Sequence, residues 1–374
     1  MPDLLQSLCS TPTAPFAEQR VVEFVADFVR RRKNLSLRAD RFGNLLIELK
    51  SKSKSRRPRW VFTAHMDHPG FVARRMLNSG QLLADFRGYV KVDFVRGAAV
   101  RFFDAPREIP GIVKEATVAD HDQLPVPHQV TVQVDAPVAP GSPGMFDQGE
   151  GRYESGKFYC RGCDDLAGAA ACLEMLDRLH RRPTQSPVAV LFTRAEEEGF
   201  IGCIAACRDG KLLKKSDRVI AIECSSVQPV APQGGGVIVR VGDRSSIFNS
   251  ALTYFLGAQA AELQKKDKSF RWQRALMPGG TCEATVYDIY GYTAASLCVP
   301  LGNYHNMDTQ SQKIAPEYID VSDWQNMVKL FVRLAQHGHK FNPGHAQLKA
   351  RVLKRYNRLN RFLTASAKSV TDAL

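Results

Sequence analysis

Residues 187–203 have the sequence PVAVLFTRAEEEGFIGC, in which three adjacent glutamates follow an apolar run. The run PVAVLF is short and wholly apolar, which is typical of a buried strand. The segment that starts at Gly199 is predicted to be a helix. A buried strand followed at once by a helix is the unit from which parallel α/β sheets are built. This stretch therefore predicts an α/β fold with Glu196, Glu197 and Glu198 at the carboxyl end of a core strand.

The same alternation of apolar strands and helices continues on both sides of this stretch. Strands are predicted at residues 60–64, 218–222 and 294–299, and helices at residues 16–34, 166–180, 249–264 and 320–338. Strands that alternate with helices form a mainly parallel sheet with both of its faces covered. We therefore predict an α/β fold with a mixed, mainly parallel sheet and helices on both faces.

The pattern of apolar and polar residues changes between residues 70 and 136. Short alternating segments such as QLLADF and HQVTVQVDA are separated by glycine and proline turns, and no long helical pattern occurs. We predict a small all-β, barrel-like domain at residues 70–151, in which residues 137–151 are a loop. The catalytic α/β domain is then discontinuous, with residues 1–69 and 152–340 on either side of the inserted β domain.

The chain has a formal net charge of +13, from 51 lysines and arginines and 38 acidic residues. Much of the positive charge lies in residues 50–59, predicted to be a solvated loop, and in residues 341–374. In residues 341–374, apolar residues recur at helical spacing among lysines and arginines, which predicts a basic amphipathic C-terminal helix. A non-enzymatic protein that binds nucleic acid or another partner through this basic tail is one alternative to an enzyme.

Nine cysteines are scattered along the chain, and several lie inside apolar runs. This pattern is typical of reduced, buried thiols. The first twenty residues lack the basic start and continuous apolar run of a signal peptide. No segment approaches the roughly 18 apolar residues of a membrane span. We therefore predict a cytoplasmic protein that has no membrane partner.

Polar side chains stand where the predicted strands end or the predicted helices begin. They are His65, Asp67, Asp164, Asp165, Glu196, Glu197, Glu223 and His305. Ligands of open α/β sheets bind outside the carboxyl ends of the strands, so we expect these side chains to converge. Taken singly, such residues are also typical of helix caps and solvated turns. The hypothesis of one shared site therefore depends on how many such residues occur together, and not on any one of them.

Several carboxylates at one sheet edge repel each other unless a cation neutralises them. The repulsion is about 4 kcal/mol for a pair at 4 Å and an effective dielectric of 20, and it raises the pKa of the carboxyl groups. Divalent metal ions relieve this repulsion, and a mixture of imidazole and carboxylate ligands suits zinc, manganese or cobalt. Two histidines and three carboxylates are enough for two ions with one bridging carboxylate.

Short motifs follow one another along the chain in a specific order. They are D-x-x-G-N at residues 40–44, H-x-D at 65–67, an aspartate pair before a helix at 164–165, E-E-x-G at 196–199, a strand that ends in Glu223, G-G-T at 279–281 and a histidine at 305. In this order the chain resembles the glutamyl and deblocking aminopeptidase family over roughly residues 4–335. The resemblance implies a dinuclear metallopeptidase with the phosphorylase/hydrolase-like α/β fold of the zinc-dependent exopeptidases.

The resemblance implies five metal ligands in this chain. One ion is expected between His65, Asp164 and Glu223, and the other between Asp164, Glu197 and His305, so that Asp164 bridges the two. Two divalent ions per chain are therefore expected. Zinc is the expected metal, with cobalt or manganese as alternatives.

The resemblance also implies the chemistry of the site. Glu196 would be the general base, and Asp67 would orient the His65 imidazole. The expected reaction is the removal of N-terminal residues from short peptides by a hydroxide that bridges the metals. A carboxypeptidase or an N-acyl amidohydrolase on the same fold is the alternative. The inserted β domain resembles the oligomerisation domain of the family, which implies a homo-oligomer.

Several positions depart from the family's pattern. Glu223 stands where an aspartate is more common, Asp165 replaces an asparagine, and Glu283 follows an additional Cys282 in the loop after G-G-T. The metal ligands match better than the substrate-facing loops, so the resemblance gives no side-chain preference for the substrate. Glu198 matches no fixed acid of the family and is expected to be a solvated charge.

Overall fold

The computed structural model describes residues 3–50, 57–121, 124–181 and 184–371. Residues 1–339 form one compact unit, and residues 340–374 form a second. Most of the loop predicted at residues 50–59 lies outside the described residues. Among the helices of the described residues, none has the length and apolar character to cross a membrane.

The helices and strands of the described residues can be given in chain order. The helices are α1 (Leu4–Cys9), α2 (Gln19–Arg30), α3 (Val92–Val95), α4 (Leu166–Leu179), α5 (Ile201–Asp209), α6 (Ser250–Lys266), α7 (Glu283–Ile289), α8 (Val321–His337) and α9 (Ala346–Thr371). Short 3-10 turns occur at Glu196–Glu198, Tyr304–Asn306 and Gly338–Lys340. The strands are β1 (Leu35–Ala39), β2 (Leu45–Leu49), β3 (Trp60–His65), β4 (Gly70–Asn78), β5 (Gln81–Arg87), β6 (Ala99–Asp104), β7 (Arg107–His121), β8 (Leu124–Val134), β9 (Pro143–Phe146), β10 (Arg152–Glu154), β11 (Lys157–Cys160), β12 (Val188–Thr193), β13 (Arg218–Ser226), β14 (Val237–Gly242), β15 (Trp272–Leu276), β16 (Thr293–Gly302), β17 (Met307–Asp308), β18 (Lys313–Ile314) and β19 (Glu317–Asp320).

The main sheet has the strand order β1-β2-β12-β3-β13-β16-β19-β11-β10, and β14 and β15 extend it beside β16. Its centre is parallel, because β12 and β13 both pair with β3 and β16 pairs with β13 in the same direction. The hairpins β1–β2 and β10–β11 are antiparallel, since short connections join antiparallel neighbours. The sheet is mixed, as predicted, and the parallel direction dominates only in its central strands.

Helices cover both faces of these central strands, because successive residues of a strand point to opposite faces. Val61 of β3 packs with Leu191, Val219 and side chains of α5 and α7. The next residue, Phe62, points the other way, and its ring centroid lies 5.1 Å from that of Phe331 in α8. Burial of one such side chain contributes about 1.5–3 kcal/mol. This two-sided core holds the carboxyl ends of the central strands at one edge of the sheet.

A closed barrel of β4, β5, β8, β7, β6 and β9 is inserted between β3 and β10. Its interior is filled by aliphatic side chains together with several phenylalanines. The ring centroid of Phe71 lies 5.1 Å from that of Phe86 and 5.2 Å from that of Phe146. The small all-β region that the sequence predicts is therefore a barrel with a packed core of its own.

The prediction of a loop at residues 137–151 is wrong for Pro143–Phe146, which form β9 and close the barrel between β4 and β6. The sequence conceals this strand, because a proline and a glycine open it. Gly144 is required by close packing, since a Cβ at this position would lie 2.7 Å from the ring of Phe102.

The second compact unit consists largely of α9. Leu348, Val352, Tyr356, Leu359 and Leu363 recur three or four residues apart in this helix, which aligns them along one stripe. Residues 346–371 otherwise include lysines and arginines but no acidic residue. The helix is therefore strongly basic.

Candidate metal centre

Four neighbouring strands bring predicted site residues to one edge of the main sheet. His65 ends β3, Glu223 lies in β13, and Glu196 and Glu197 lie in the 3-10 turn that follows β12. His305 lies in the 3-10 turn that follows β16. Because β12, β3, β13 and β16 are adjacent and parallel, their carboxyl ends meet at the edge where α/β sheets bind ligands.

Asp164 joins these residues from the loop between β11 and α4. The next residue, Asp165, occupies the N-cap position of α4, and the peptide bond between the two aspartates is cis. Asp164, Asp165 and Cys224 form a close group of their own, and the Cys224 thiol donates to Asp165 Oδ1 at 3.7 Å. Burial raises the pKa of Asp165 well above its ordinary range.

Two groups of three potential metal ligands share Asp164. The first group is His65, Asp164 and Glu223, and the second is Asp164, Glu197 and His305. Within each group, one ligand atom of each residue lies within 4.8 Å of the others. These are the two sets that the family resemblance implies.

The two oxygens of Asp164 face different histidines. Oδ1 lies 3.8 Å from His65 Nε2, and Oδ2 lies 3.9 Å from His305 Nε2. His305 Nε2 also lies 3.2 Å from Glu197 Oε1. Ligands that each lie about 2 Å from a zinc ion are themselves roughly 3–4 Å apart. The spacing therefore fits one ion on each side of a bridging aspartate.

Three ligand atoms in these groups are buried without a hydrogen-bond partner among the described residues. They are Glu197 Oε1, Glu223 Oε1 and His305 Nε2; the first and the last lie 3.2 Å apart, at ion-pair distance but without hydrogen-bond geometry. A buried polar atom that is left unpaired costs about 1–3 kcal/mol, so three together need a compensating partner. A pair of divalent ions would satisfy all three atoms, and the mixture of imidazole and carboxylate suits zinc, cobalt or manganese.

The charges of the cluster are partly compensated by protons. Burial raises the pKa of Glu196 well above its ordinary range. Burial and the nearby charge of Asp164 raise the pKa of Glu223 to about 8. For His305, burial alone would lower the pKa, but Glu197 and Asp164 raise it to about 9. Because metal ligands must be deprotonated, metal binding at this cluster releases protons.

Glu196 stands beside both groups. Its Oε2 lies 3.9 Å from His65 Nε2, and His65, Glu196 and Glu197 form a further group of close potential ligands. A carboxylate at this position is near enough to act as a base on a molecule held by the cluster, and also near enough to be a ligand. The two roles differ in their effect on metal content.

Asp67 holds the turn that carries these glutamates. Its Oδ1 and Oδ2 accept hydrogen bonds from the backbone amides of Glu196 at 3.0 Å and Glu197 at 3.1 Å. His65 Nδ1 lies 3.1 Å from the carbonyl oxygen of Asp67 and 3.5 Å from its Oδ1. Both partners are acceptors, so Nδ1 carries a proton, and Nε2, which faces Asp164, is the nitrogen that could bind a metal. Asp67 therefore has a second role, in fixing the turn of Glu196 and Glu197. The H-x-D pattern does not indicate this role.

His305 is held at both its main chain and its ring. Its φ is 54°, in the left-handed region that few residues other than glycine adopt. Its amide donates to Glu317 Oε1 at 2.8 Å, and its Nδ1 contacts the carbonyl oxygen of Tyr89. Since a carbonyl can only accept, Nδ1 carries a proton, and Nε2 is the nitrogen that could bind a metal once it has released its own proton.

Glu317 is a buried carboxylate that the sequence analysis misses. Its Oε2 accepts hydrogen bonds from the amides of Cys163 at 2.7 Å and Asp164 at 3.1 Å, while its Oε1 accepts from His305. One side chain therefore fixes the main chain of two proposed ligands. Nothing in the segment IAPEYID distinguishes Glu317 from an ordinary strand residue, so no sequence signal could have identified it.

His68 is a second supporting residue that the sequence analysis misses. Its Nδ1 lies 2.8 Å from the carbonyl oxygen of Asp164 and its Nε2 lies 3.0 Å from Asn306 Oδ1. The Asn306 amide is fixed in orientation, because its Nδ2 donates to the carbonyls of Arg161 and Ala315. Both ring nitrogens of His68 thus lie within hydrogen-bond distance of an oxygen, one of Asp164 and one of Asn306. Its position directly after the H-x-D motif is a signal that could have identified it.

A cavity of about 820 Å³ lies over the cluster. The proposed ligands Asp164, Glu197, Glu223 and His305 lie on its wall with Glu196, and the predicted G-G-T segment at residues 279–281 also lines it. Ligand pockets for small molecules have volumes of about 300–1,000 Å³. The cavity therefore suits a small molecule or a short peptide.

Comparisons with known proteins bear on the family and the fold of the chain. A family model described as M42 glutamyl aminopeptidase matches residues 43–330. No curated protein sequence matches the chain significantly.

The solved structures that are similar to the chain include three peptidases. The TET1 peptidase of Pyrococcus horikoshii, described as able to assemble into a tetrahedron or a large octahedral shell, has 21% identity and a TM-score of 0.72, with 89% of this chain and 98% of that chain covered. An aminopeptidase from Desulfurococcus kamchatkensis has 20% identity and a TM-score of 0.72, with 89% and 94% covered. A TET aminopeptidase from a marine sediment archaeon of the Thaumarchaeota has 18% identity and a TM-score of 0.73, with 89% and 96% covered. At these identities the likeness establishes the fold.

Proposed function

Because the chain belongs to the M42 glutamyl aminopeptidase family, and is thus a metal-dependent aminopeptidase, we propose that its buried histidines and carboxylates hold two divalent ions. One ion would lie between His65, Asp164 and Glu223, and the other between Asp164, Glu197 and His305. The observation that carries this proposal is that both groups share Asp164. Zinc suits the donor set best, and cobalt or manganese are the alternatives.

The proposed chemistry divides the work between the ions and the chain. When bound, a pair of divalent ions makes water a nucleophile near neutral pH and polarises the carbonyl of the scissile bond. Glu196 takes the proton from the attacking water and returns it to the leaving amine. Asp67 and Glu317 hold the main chain around the ligands, so that the reacting groups are already in place when the substrate arrives.

The proposed substrates are short peptides with a free amino terminus. The cavity over the cluster is wide enough for a short peptide, and the carboxylates on its wall attract the positive charge of a substrate ammonium group. A carboxypeptidase or an N-acyl amidohydrolase on the same fold would need no free ammonium group. The state of the substrate amino terminus therefore distinguishes the alternatives.

Chelator-stripped protein is expected to lose hydrolysis of an aminoacyl substrate and to regain it with two equivalents of zinc, cobalt or manganese per chain. An N-acetylated copy of the same substrate should resist cleavage, because it carries no ammonium group. Metal content by inductively coupled plasma mass spectrometry and release of the chromophore measure the two effects. Hydrolysis of the acetylated substrate would support the amidohydrolase instead, and full activity without metal would refute the metal centre.

We also propose that residues 70–151 form a separate domain through which the protein assembles into a homo-oligomer. The closed barrel gives these residues their own core, and Leu77, Ile112 and Val118 leave apolar surface exposed on it. The assembly described for the TET1 peptidase of Pyrococcus horikoshii makes an oligomer a natural expectation for a chain of this fold.

Light scattering is expected to give a mass well above the 41.6 kDa of one chain. Val118, 53% exposed, offers a test of the barrel's part, because a charge in a buried interface is costly. Val118→Asp should therefore reduce the mass while the metal content stays unchanged. A monomeric wild-type protein, or an unchanged assembly in Val118→Asp and Ile112→Asp, would contradict this proposal.

We further propose that the protein works in the cytoplasm. All nine cysteines are free and buried, which suits a reducing compartment. Recovery of the native protein with a secreted fraction would contradict this assignment.

A further inference from the structure

The 3-10 turn Glu196–Glu198 contains a third glutamate that is neither a proposed ligand nor the proposed base. The expectation that Glu198 is a solvated charge is wrong. Its Oε1 accepts a hydrogen bond from the backbone amide of Gly88 at 2.8 Å, in a partly buried position. Gly88 follows the last residue of β5, so this bond joins the turn after β12 to the inserted barrel.

The residue after Gly88 contacts the metal centre. The carbonyl oxygen of Tyr89 is the acceptor for His305 Nδ1, and Tyr89 also lines the cavity over the cluster. The main chain of His305 is held by Glu317, but a side chain can still rotate about its own bonds. The Tyr304 ring stacks on the His305 ring, with their centroids 3.7 Å apart, and the Tyr89 carbonyl is the hydrogen-bond partner of Nδ1 that helps to orient the ring and places its proton.

The segment that carries this carbonyl is short and anchored at several points. Val90 is buried in the barrel core, and the Lys91 amide lies 3.4 Å from Met307 Sδ. Gly88 has a φ of +91°, and a Cβ there would lie 3.0 Å from Pro69 Cβ. The chain therefore turns tightly over Pro69, and the next carbonyl, that of Tyr89, contacts His305.

We propose that Glu198 is a positioning residue that keeps His305 aligned for metal binding. By fixing the Gly88 amide, Glu198 holds the Tyr89 carbonyl against His305 Nδ1 and so directs Nε2 toward the ion. This inference rests on the proposed function, because it requires that His305 and its neighbour Glu197 bind one of two ions. The turn Glu196–Glu198 then supplies one proposed ligand, Glu197, directly. It supports a second, His305, through the contact of Glu198 with the barrel.

Glu198→Ala is expected to weaken the binding of one of the two ions about tenfold, which is the usual effect of losing a residue that orients a ligand. The other ion, held by His65, Asp164 and Glu223, should bind as in the wild type. Glu198→Gln retains an oxygen acceptor for the Gly88 amide and should bind both ions normally. Isothermal titration of the apoprotein with zinc measures both affinities, without reference to activity.

Glu115→Ala is a suitable control, because Glu115 is an exposed glutamate of the barrel strand β7 and its loss should leave both affinities unchanged. Unchanged zinc binding in Glu198→Ala would overturn the inference. Equal weakening in Glu198→Gln would also overturn it, since charge and not the hydrogen bond would then be responsible. A wild-type protein that binds no second ion would instead refute the proposed function.

Discussion

Replacement of Asp164 by alanine is expected to remove both metal ions and to abolish hydrolysis. Each oxygen of this carboxylate faces a different histidine, so its loss leaves each proposed ion with two protein ligands. Catalytic zinc sites use three. Metal analysis and peptide hydrolysis of the purified variant measure the effect.

The same variant should also lose its stabilisation by zinc. A ligand present at 100 times its Kd stabilises the folded protein by about 2.7 kcal/mol per site. The free energy of unfolding of Asp164→Ala, measured by urea denaturation, should therefore no longer depend on zinc concentration. Asp288→Ala, at an exposed position of α7, serves as the control and should retain both the ions and the zinc dependence.

The proposed bridging role of Asp164 can be tested separately from a general loss of function, by counting the ions that each variant retains. Glu223→Ala should lose the ion shared with His65 and keep the ion shared with His305, because Glu223 belongs to one group only. Retention of one ion in Asp164→Ala would mean that the carboxylate serves a single ion. That result would refute the bridge.

Replacement of Glu196 by glutamine is expected to leave both ions in place and to lower kcat by about 10²–10⁴-fold, which is the usual contribution of a general base. Glutamine has nearly the same shape as glutamate but cannot take up a proton from water. Metal content and kcat, measured on the same preparation, separate this role from that of a ligand. Circular dichroism should be unchanged.

Glu197→Gln is the matched comparison, since it alters the adjacent residue in the same turn. It should lower the metal content, because Glu197 Oε1 is a proposed ligand atom that lies 3.2 Å from His305 Nε2. If Glu196→Gln instead loses an ion, then Glu196 acts as a ligand through its group with His65 and Glu197. Normal turnover in Glu196→Gln would remove it from the mechanism.

Residues close to their strand are well predicted by the sequence. His65 ends β3, and Glu196 and Glu197 follow β12 by a few residues. Apolar runs fix the strands, and parallel neighbours bring their carboxyl ends together. The positions of these polar residues therefore follow from local pattern and one rule of topology.

Residues that act across the fold are poorly predicted. Glu317 lies in β19, more than 150 residues from Asp164, whose amide it binds. Glu198 binds the amide of Gly88 in the barrel, and β9 pairs with β4 and β6. Hydrogen bonds between distant segments leave no periodicity in the sequence. A prediction from local pattern therefore assigns such residues to loops or to the solvated surface.

The sequence by itself determined the α/β alternation, the inserted all-β region and the set of histidines and carboxylates available to a metal. These depend on side-chain chemistry and on short-range periodicity, which any stretch of the chain carries within itself. Only the tertiary structure decided that the two oxygens of Asp164 face different histidines and that a barrel carbonyl orients His305. It also separated the three glutamates of AEEEG: Glu196 and Glu197 face the cluster, while Glu198 reaches away to the barrel. Neighbours in the sequence differ in role because each points to a different, distant part of the fold.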